Sequence, residues 1–545
     1  MNKQKISDIF ILVIAILLIL LNAVFFESKK EGFFLDEKAT FHIANASFTN
    51  MGDFRKRLTH NNSSILKTYW EVHADAPMVL GHRYSYAEVS DMFDAQKGEK
   101  FTFLSTLILT VPDSHPPFYY LLFNVFDSVL IGVSLMHVGF IINIIALLLT
   151  CILLFRIIFY FTEDCFCSVL GVLFYGLSYD FINSAMYIRM YALLTFWLVL
   201  LLYLYLSMVK NNYQWDGKLL LKICIVEFFA MLTQFYAAIF IFPLFCITVT
   251  TLLAHKITVK KYILSQIVTA AVYLIVWPAS VFQVLFNGRT EDIKNNAASF
   301  MLFSRLKEFS VLLRNSIFGG SKKILLLTFA LLILFGLFCL IKEVRSDFSA
   351  FLTSDRFALG AYLIIPATVF YVISAYISPW VVDRYVMPTI PIICAIIVIV
   401  FWKGSGMIVK SRYIRASIIA LFVMMIYVLS LRLSPEYAFP VTAEKIDFVN
   451  EYQDYEALII DPEHDMEYLE VAAEVAHPYW MLVKDNQITS DQLAASFDKS
   501  TDTVVYINKY CDTEDILQTF KDADIELTKC GYSTDFFETY KYKAQ

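Results

Sequence analysis

Four short stretches of this sequence carry residues able to act on a substrate. Asp36-Glu37 is an acid pair that follows an apolar stretch and precedes a helix-like run to Phe48. Asp113-Ser114-His115-Pro116-Pro117-Phe118-Tyr119-Tyr120 sets an acid, an imidazole and two tyrosines in one turn. Its two prolines fix φ and start a helix at a bend. Tyr187-Ile188-Arg189-Met190-Tyr191 holds one arginine between apolar runs, and Asp383-Arg384-Tyr385-Val386-Met387-Pro388 holds a second. A carboxylate can take the proton of an acceptor hydroxyl or amine. Arginine and histidine can bind a departing phosphate. Each stretch also has a plainer reading. Asp36 is placed to cap the helix behind it, Pro116-Pro117 can simply punctuate a loop, Arg189 can snorkel to headgroups, and Asp383-Arg384 can neutralise itself. The chemical reading needs all four at one face of the molecule.

The composition says what kind of face. Of 545 residues, 58% are apolar and 17% charged, and the mean hydropathy is +0.59. A soluble chain runs nearer ~45–50% apolar and ~25% charged. With 49 Phe, 32 Tyr and no low-complexity tract, disorder, a collagen-like chain, a coiled coil and an ordinary cytosolic enzyme are excluded. A polytopic membrane protein remains. Charge is split: residues 433–545 have a net charge of −16 and the rest +10. An acidic soluble tail thus follows a basic, apolar body, and no nucleic acid is expected as partner. Seven of the nine cysteines lie in or beside apolar runs and read as small hydrophobes. Cys165-Phe-Cys167 lacks a second pair at zinc spacing. Cys511 and Cys530 in the tail can pair if it faces an oxidising space.

Eleven apolar runs look long enough to span a bilayer, beginning with Ile9–Phe26, an uncleaved signal-anchor. The others centre on 137–160, 165–184, 190–208, 219–234, 237–254, 262–286, 323–342, 357–378, 386–402 and 415–432. The basic loops at 210–222, 256–261, 342–356 and 403–415 are each two spans apart, so all four fit the cytoplasmic side. The N-terminus is then cytoplasmic and the C-terminus outside. Two large outer loops result, 27–136 and 287–322. The run after Pro117 is too short to cross and is expected along the outer interface. The tail alternates strand-like runs (457–460, 503–507, 536–542) with helix-like ones (466–476, 514–523), the pattern of a small α/β domain. The division expected is a transmembrane catalytic domain over 1–432 and an extracytoplasmic domain over 433–545. All four chemical stretches fall on the outer face.

In the order and spacing of these motifs the chain resembles a GT-C-type, polyprenyl-phosphate-dependent glycosyltransferase. It is similar to the branch of protein O-mannosyltransferases and lipid A aminoarabinose transferases. The likeness covers about residues 9–430. It rests on Asp36-Glu37, His115-Pro116-Pro117-Phe118-Tyr119-Tyr120, Arg189-Met190-Tyr191-Ala192, and Asp383-Arg384-Tyr385 with Pro388 and Pro391. The resemblance implies Asp36 as general base or acceptor-orienting carboxylate, supported by Glu37. It implies His115, Arg189, Arg384 and Tyr385 at the donor phosphate, with Asp113, Tyr119 and Tyr191 in support. Gln234 stands where relatives often carry His, so that turn is left out of the set.

The implied partners are a polyprenyl-phosphate-linked sugar, membrane lipid and an extracytoplasmic acceptor, whether protein, lipid or cell-wall polymer. The implied location is the plasma membrane. No metal ligand set and no required cofactor are expected; a divalent cation at His73, Asp75 and His82 is the weaker alternative to solvated loop residues. A transporter or flippase of lipid-linked sugars is the other function considered. Such a pump needs ionisable groups at mid-membrane, and Glu227 and Asp180 are sparse for one. A wall-binding anchor is the third, and eleven spans are excessive for it. The tail can select the acceptor, bind a partner or only stabilise the fold, and deleting 436–545 is expected to leave donor cleavage and change acceptor use.

Overall fold

The computed structural model describes residues 3–45, 83–91, 93–98, 100–111, 113–213, 217–285, 294, 296, 301–344, 354–462, 470–471 and 475–544. His73, Asp75 and His82 lie outside them, as does most of the helix expected at 466–476. The described residues fall into two compact units: Met1–Lys29 with Asp113–Tyr119 and Gly139–Ala438, and Lys30–Pro112 with Tyr120–Val138 and Phe439–Gln545. The outer segment expected within the transmembrane domain thus belongs with the tail.

Each of the eleven apolar runs contains a helix, and the run 262–286 breaks after Val276 and restarts as the short helix Ser280–Leu285. Among the described residues, seven helices are long and apolar enough to cross a membrane by themselves. The count is nine if two bent pairs each make one crossing. The helices Gly217–Thr233 and Lys260–Val276, at 17 residues each, fall just short. Eleven separate spans are therefore more than length and composition support. One bent pair, Cys165–Gly176 with Tyr179–Met186, turns by 56° where a single span was expected. Ser178 restarts the helix there, its hydroxyl accepting from the Phe181 amide. The other pair, Leu302–Phe318 with Lys322–Phe338, turns by 91° at Gly319 and Gly320, both at positive φ.

The long apolar helices of the first unit are apolar on all sides. Inward, Leu147, Leu202, Phe240, Phe370 and Val398 are buried in one core. Outward, large side chains such as Ile275 at 78% and Leu421 at 71% exposure face the surroundings. Apolar surface on that scale fits lipid, not water. Glycines let helices close in: a Cβ on Gly139 or Gly176 would meet Ile188 or Ile19 at 2.2 Å.

The second unit is built on a six-stranded sheet in the order β1-β3-β2-β4-β6-β5. The strands are β1 Tyr84–Ser85, β2 Glu456–Asp461, β3 Tyr479–Lys484, β4 Thr503–Asn508, β5 Thr528–Ser533 and β6 Phe537–Tyr542. β2 runs parallel to both β3 and β4, and every residue of β2 and β4 is buried, as parallel strands covered on both faces require. β1 comes from the first outer segment and pairs antiparallel with β3, Tyr84 opposite Trp480. Arg83 secures it, 2.8 Å from Glu456 and 3.1 Å from Asp498. No disulfide joins Cys511 and Cys530; each is buried separately.

The helix Phe118–Val129 has 12 residues, about 18 Å of rise against a ~30 Å hydrocarbon core, so it does not span.

Candidate functional site

In the first unit, the chain between Tyr187 and Arg189 is the junction. The short helix Tyr179–Met186 ends there, and Tyr187 leaves it in an extended conformation. Asn143, from the helix Leu135–Thr162, holds the junction by donating to the carbonyls of Ala185 (3.3 Å) and Tyr187 (2.7 Å). Tyr119 in turn donates to Asn143 at 3.1 Å. It thus supports the junction through one intermediary.

On one side of the junction, Arg189 Nη2 lies 3.2 Å from His115 Nδ1. That same nitrogen is 3.1 Å from the Asp113 carboxylate. A guanidinium can only donate and a carboxylate can only accept, so the proton on Nδ1 decides which of the two the ring bonds. Pro116 and Pro117 carry the chain on into the helix at Phe118. Gln283 donates to the His115 carbonyl at 3.3 Å while accepting from Trp277 Nε1 at 2.9 Å.

On the other side, Arg384 Nη1 donates to the Tyr187 hydroxyl at 2.7 Å. Its guanidinium also lies over the rings of Trp380 and Tyr385, 5.8 and 5.6 Å from their centres. Tyr187 is sandwiched between rings, Tyr437 at 4.1 Å and Tyr191 at 5.8 Å, both nearly parallel to it. Asp383 accepts from Tyr437 Oη at 2.8 Å and Asn183 Nδ2 at 3.2 Å. Burial raises the Asp383 carboxyl above its usual range, against these two bonds and the neighbouring guanidinium. The turn Asp383–Tyr385 is one turn of 3-10 helix, followed by a second at Met387–Thr389 and the helix Ile390–Ile408. Pro388 and Pro391 stand at the starts of the latter two, where a missing N–H costs nothing. Tyr385 stacks on Tyr236, 5.7 Å away.

The structure therefore joins Asp113, His115 and Arg189 directly, and Arg384, Tyr385 and Tyr191 through Tyr187. Both guanidinium groups are deeply buried, Arg189 at 3% and Arg384 at 7% exposure. Sequence reasoning quoted Tyr187 without choosing it, and it missed Asn143, Asn183, Gln283 and Tyr437. These are neutral polar residues in apolar or loop contexts, and the chain has 32 Tyr, so composition does not single them out.

Asp36 and Glu37 belong to the second unit, at the start of the helix Leu35–Asn45. The Glu37 carboxylate is fully buried, 2.9 Å from Lys30 Nζ, and accepts from the Phe34 amide at 2.7 Å. A third-position Glu reaching back to the amide at the cap is half of a capping box. It is Glu37, then, that reaches back to the helix start. Burial lowers the Lys30 ammonium, although Glu37 pulls the other way. Asp36 is only half-buried. Among the described residues, no three His, Cys, Asp or Glu side chains are gathered at metal-ligand spacing.

No protein-family model matches the chain, and no curated protein matches it in sequence. Solved structures do resemble it. The crystal structure of ArnT from Cupriavidus metallidurans bound to undecaprenyl phosphate superposes with a TM-score of 0.53 at 10% identity, over 97% of each chain. The same protein in the apo state gives 0.48 at 11% identity, over 88% of this chain and 96% of that one. The archaeal oligosaccharyltransferase AglB from Archaeoglobus fulgidus gives 0.46 at 12%, over 99% of this chain and 74% of that one. The likeness to the first of these runs the length of the chain, spans and sheet together. The chain has the GT-C fold.

Proposed function

We propose that the protein is a membrane glycosyltransferase that moves a sugar from a polyprenyl-phosphate donor to an acceptor outside the cell. The observation that carries this reading is the pair of buried guanidinium groups, Arg189 and Arg384, set on the two sides of the Tyr187–Arg189 junction. A phenol accepts from one and an imidazole stands 3.2 Å from the other. A planar fork held in this way suits the oxygens of a phosphate. The fold shared with a protein crystallised with undecaprenyl phosphate supports the same reading.

In the proposed reaction, Arg384 and Arg189 bind the donor phosphate, with His115 hydrogen-bonding one of its oxygens. Asp36 takes the proton of the acceptor hydroxyl or amine. The acceptor attacks the anomeric carbon, and the bond from that carbon to the phosphate oxygen breaks with its electron pair on the oxygen. Polyprenyl phosphate departs, and a single displacement inverts the anomeric carbon. The guanidinium groups answer the charge that builds on the phosphate, so the proposal requires no cofactor. The sugar is a hexose or pentose, and the acceptor is a protein, lipid or wall polymer. The N-terminus is cytoplasmic and the C-terminal part outside.

The test uses purified wild type, Asp36→Asn and Arg384→Ala in lipid, given a panel of polyprenyl-phosphate sugars with crude envelope as acceptor source. Released polyprenyl phosphate is followed by mass spectrometry. Release by wild type and by neither variant establishes the reaction and names the sugar. No release by wild type with any donor sinks the proposal.

A further inference from the structure

The stretch that carries Asp36 is gripped from both sides by the C-terminal part of the chain, and every contact lies inside one compact unit. Ahead of Asp36, the Glu31 carboxylate accepts from the Val441 amide at 2.7 Å. Gly32 lies so near Phe439 that an added Cβ would meet the Phe439 Cβ and carbonyl oxygen at 3.0 Å. The Phe34 ring stacks on Phe439 with centres 5.9 Å apart and planes 15° apart. The Lys30 ammonium stands 5.3 Å from the same Phe439 ring. Behind Asp36, Lys38 donates to the Glu470 carbonyl. The Glu470 side chain is itself tied down by the Thr534 hydroxyl at 2.6 Å and the amides of Asp535 and Phe536 at 3.2 and 3.1 Å. Phe439 holds φ at +44°, a left-handed conformation that bulky residues rarely adopt. Such residues persist where neighbours fix them, and they gather at functional sites.

Helices as short as the 11 residues of Leu35–Asn45 are marginal alone in water. The lock between Lys30 and Glu37 is internal to the stretch and only shapes it. Its far end is fixed to the outer segment, where Thr106 donates to the Ala44 carbonyl, Asn45 to Asp127, and Phe41 packs on Phe123; around Asp36 itself it is Phe439, Val441 and Glu470 of the tail that hold it.

The geometry points to Phe439, with Glu31 and Lys38, as positioning residues for Asp36, which makes the tail a working part of the catalytic apparatus. This inference rests on the proposed role of Asp36 as base. It replaces the expectation that deleting 436–545 leaves donor cleavage intact. Deleting 436–545 removes Phe439, Val441 and Glu470 at once, and donor cleavage falls with them.

The test uses the full chain in lipid with Phe439→Ala, Lys38→Met and the ring-conserving Phe439→Tyr. Two quantities are measured: turnover, and hydrogen–deuterium exchange over residues 31–45, with β4 as internal control. Phe439→Ala and Lys38→Met are expected to lower kcat about tenfold to hundredfold with the donor KM unchanged. Exchange over 31–45 should quicken while β4 stays protected, and Phe439→Tyr should restore both. Unchanged exchange over 31–45 in Phe439→Ala overturns the inference, as does loss of protection spread equally to β4, or faster exchange with full turnover. If wild type turns over no donor, the proposed function fails, and the exchange comparison still decides whether Phe439 holds the Asp36 stretch.

Discussion

Gly139 lies in the helix Leu135–Thr162, and a Cβ built on it would stand 2.2 Å from Cγ2, 2.7 Å from Cγ1 and 2.8 Å from Cδ1 of Ile188. Carbon atoms sit comfortably at ~3.5–4.0 Å, so Gly139→Ala forces Ile188 to move by more than about 1 Å. Rotating the far end of the side chain does not relieve this, because both γ carbons hang from one Cβ with a stiff χ1. Ile188 is fully buried, which closes the outward route. The backbone of the turn must shift, and Ile188 is flanked by Tyr187 and Arg189. Stability changes little. Replacing glycine inside a helix gains up to about 1 kcal/mol, and overpacking costs about 1–3 kcal/mol, a net loss of at most about 3 kcal/mol. Geometry is the more sensitive quantity, since a displacement of about 1 Å can cost about 10²-fold in rate. The expected result is a fall in kcat/KM of about tenfold to hundredfold with a melting shift of only a few degrees, read from polyprenyl phosphate release and thermal melting in lipid. Gly360→Ala, whose Cβ meets nothing within 4 Å, is the control and should keep full activity. Ile188→Ala added to Gly139→Ala removes all three crowding carbons and should restore rate. Ile188→Val keeps both γ carbons and should not. Wild-type activity in Gly139→Ala, or equal rescue by Val and Ala, would refute the reasoning.

Tyr187→Phe removes the acceptor that orients Arg384. Hydrogen bonds to charged groups contribute about 1.5–3 kcal/mol, so the donor KM should rise about tenfold or more, and Arg384→Lys, lacking the planar fork, should behave alike; an unchanged KM in Tyr187→Phe argues against the pair. Asp127 is buried and raised to about 6, mainly by desolvation. The native state therefore keeps a proton that the unfolded state has released, and stability should fall by about 2–3 kcal/mol as pH rises from about 4 to about 6. Asn45 and Ala95 both donate to the one oxygen Oδ2 of Asp127, so Asp127→Asn can keep both bonds, and its melting temperature should be higher than wild type at pH 7 and level across that window. His477, fully buried, donates or accepts between the Tyr455 carbonyl (2.7 Å) and the Tyr506 hydroxyl (2.9 Å) and is lowered to about 4, chiefly by burial. Here the unfolded state takes up the proton first, so the sheet should lose about 3 kcal/mol as pH falls from about 6.5 to about 4; melting followed by Trp480 fluorescence, flat over that range, would contradict it.

Much of the membrane part was legible because its signals are local. Long apolar runs became helices, and charged residues among them stood out as site candidates. His115, Arg189 and Arg384 were found because a charge beside an apolar run is costly and so conspicuous. Their partners were not found because Tyr187, Asn183 and Tyr437 are ordinary in type, and only the fold gives them a role. That Glu37 reaches back to the helix start depends on the register of the helix, and so on where it begins. That start is set by Phe34, whose own placement depends on Phe439. The sheet strands β2 and β4 read plainly as apolar runs. β1 has two residues and no pattern at all, yet it is what sews the outer segment to the tail. Its pairing is non-local, and no window of sequence around it contains its partner.

That sewing has a consequence for how the protein is made. Lys38 and Glu470 are 432 residues apart, Glu31 and Val441 410, and Arg83 and Asp498 415. At about 5–20 residues per second, the Asp36 segment waits about 20–80 seconds after its own synthesis before its partners exist. Until Phe439 and then β3 arrive it has no ring to stack on and no sheet edge to join. A chain stalled at the final helix would sit in the membrane with its arginines assembled and its carboxylate adrift. The joining of the first outer segment to the tail thus makes the packing of the Asp36 segment one of the late events in the folding of the chain.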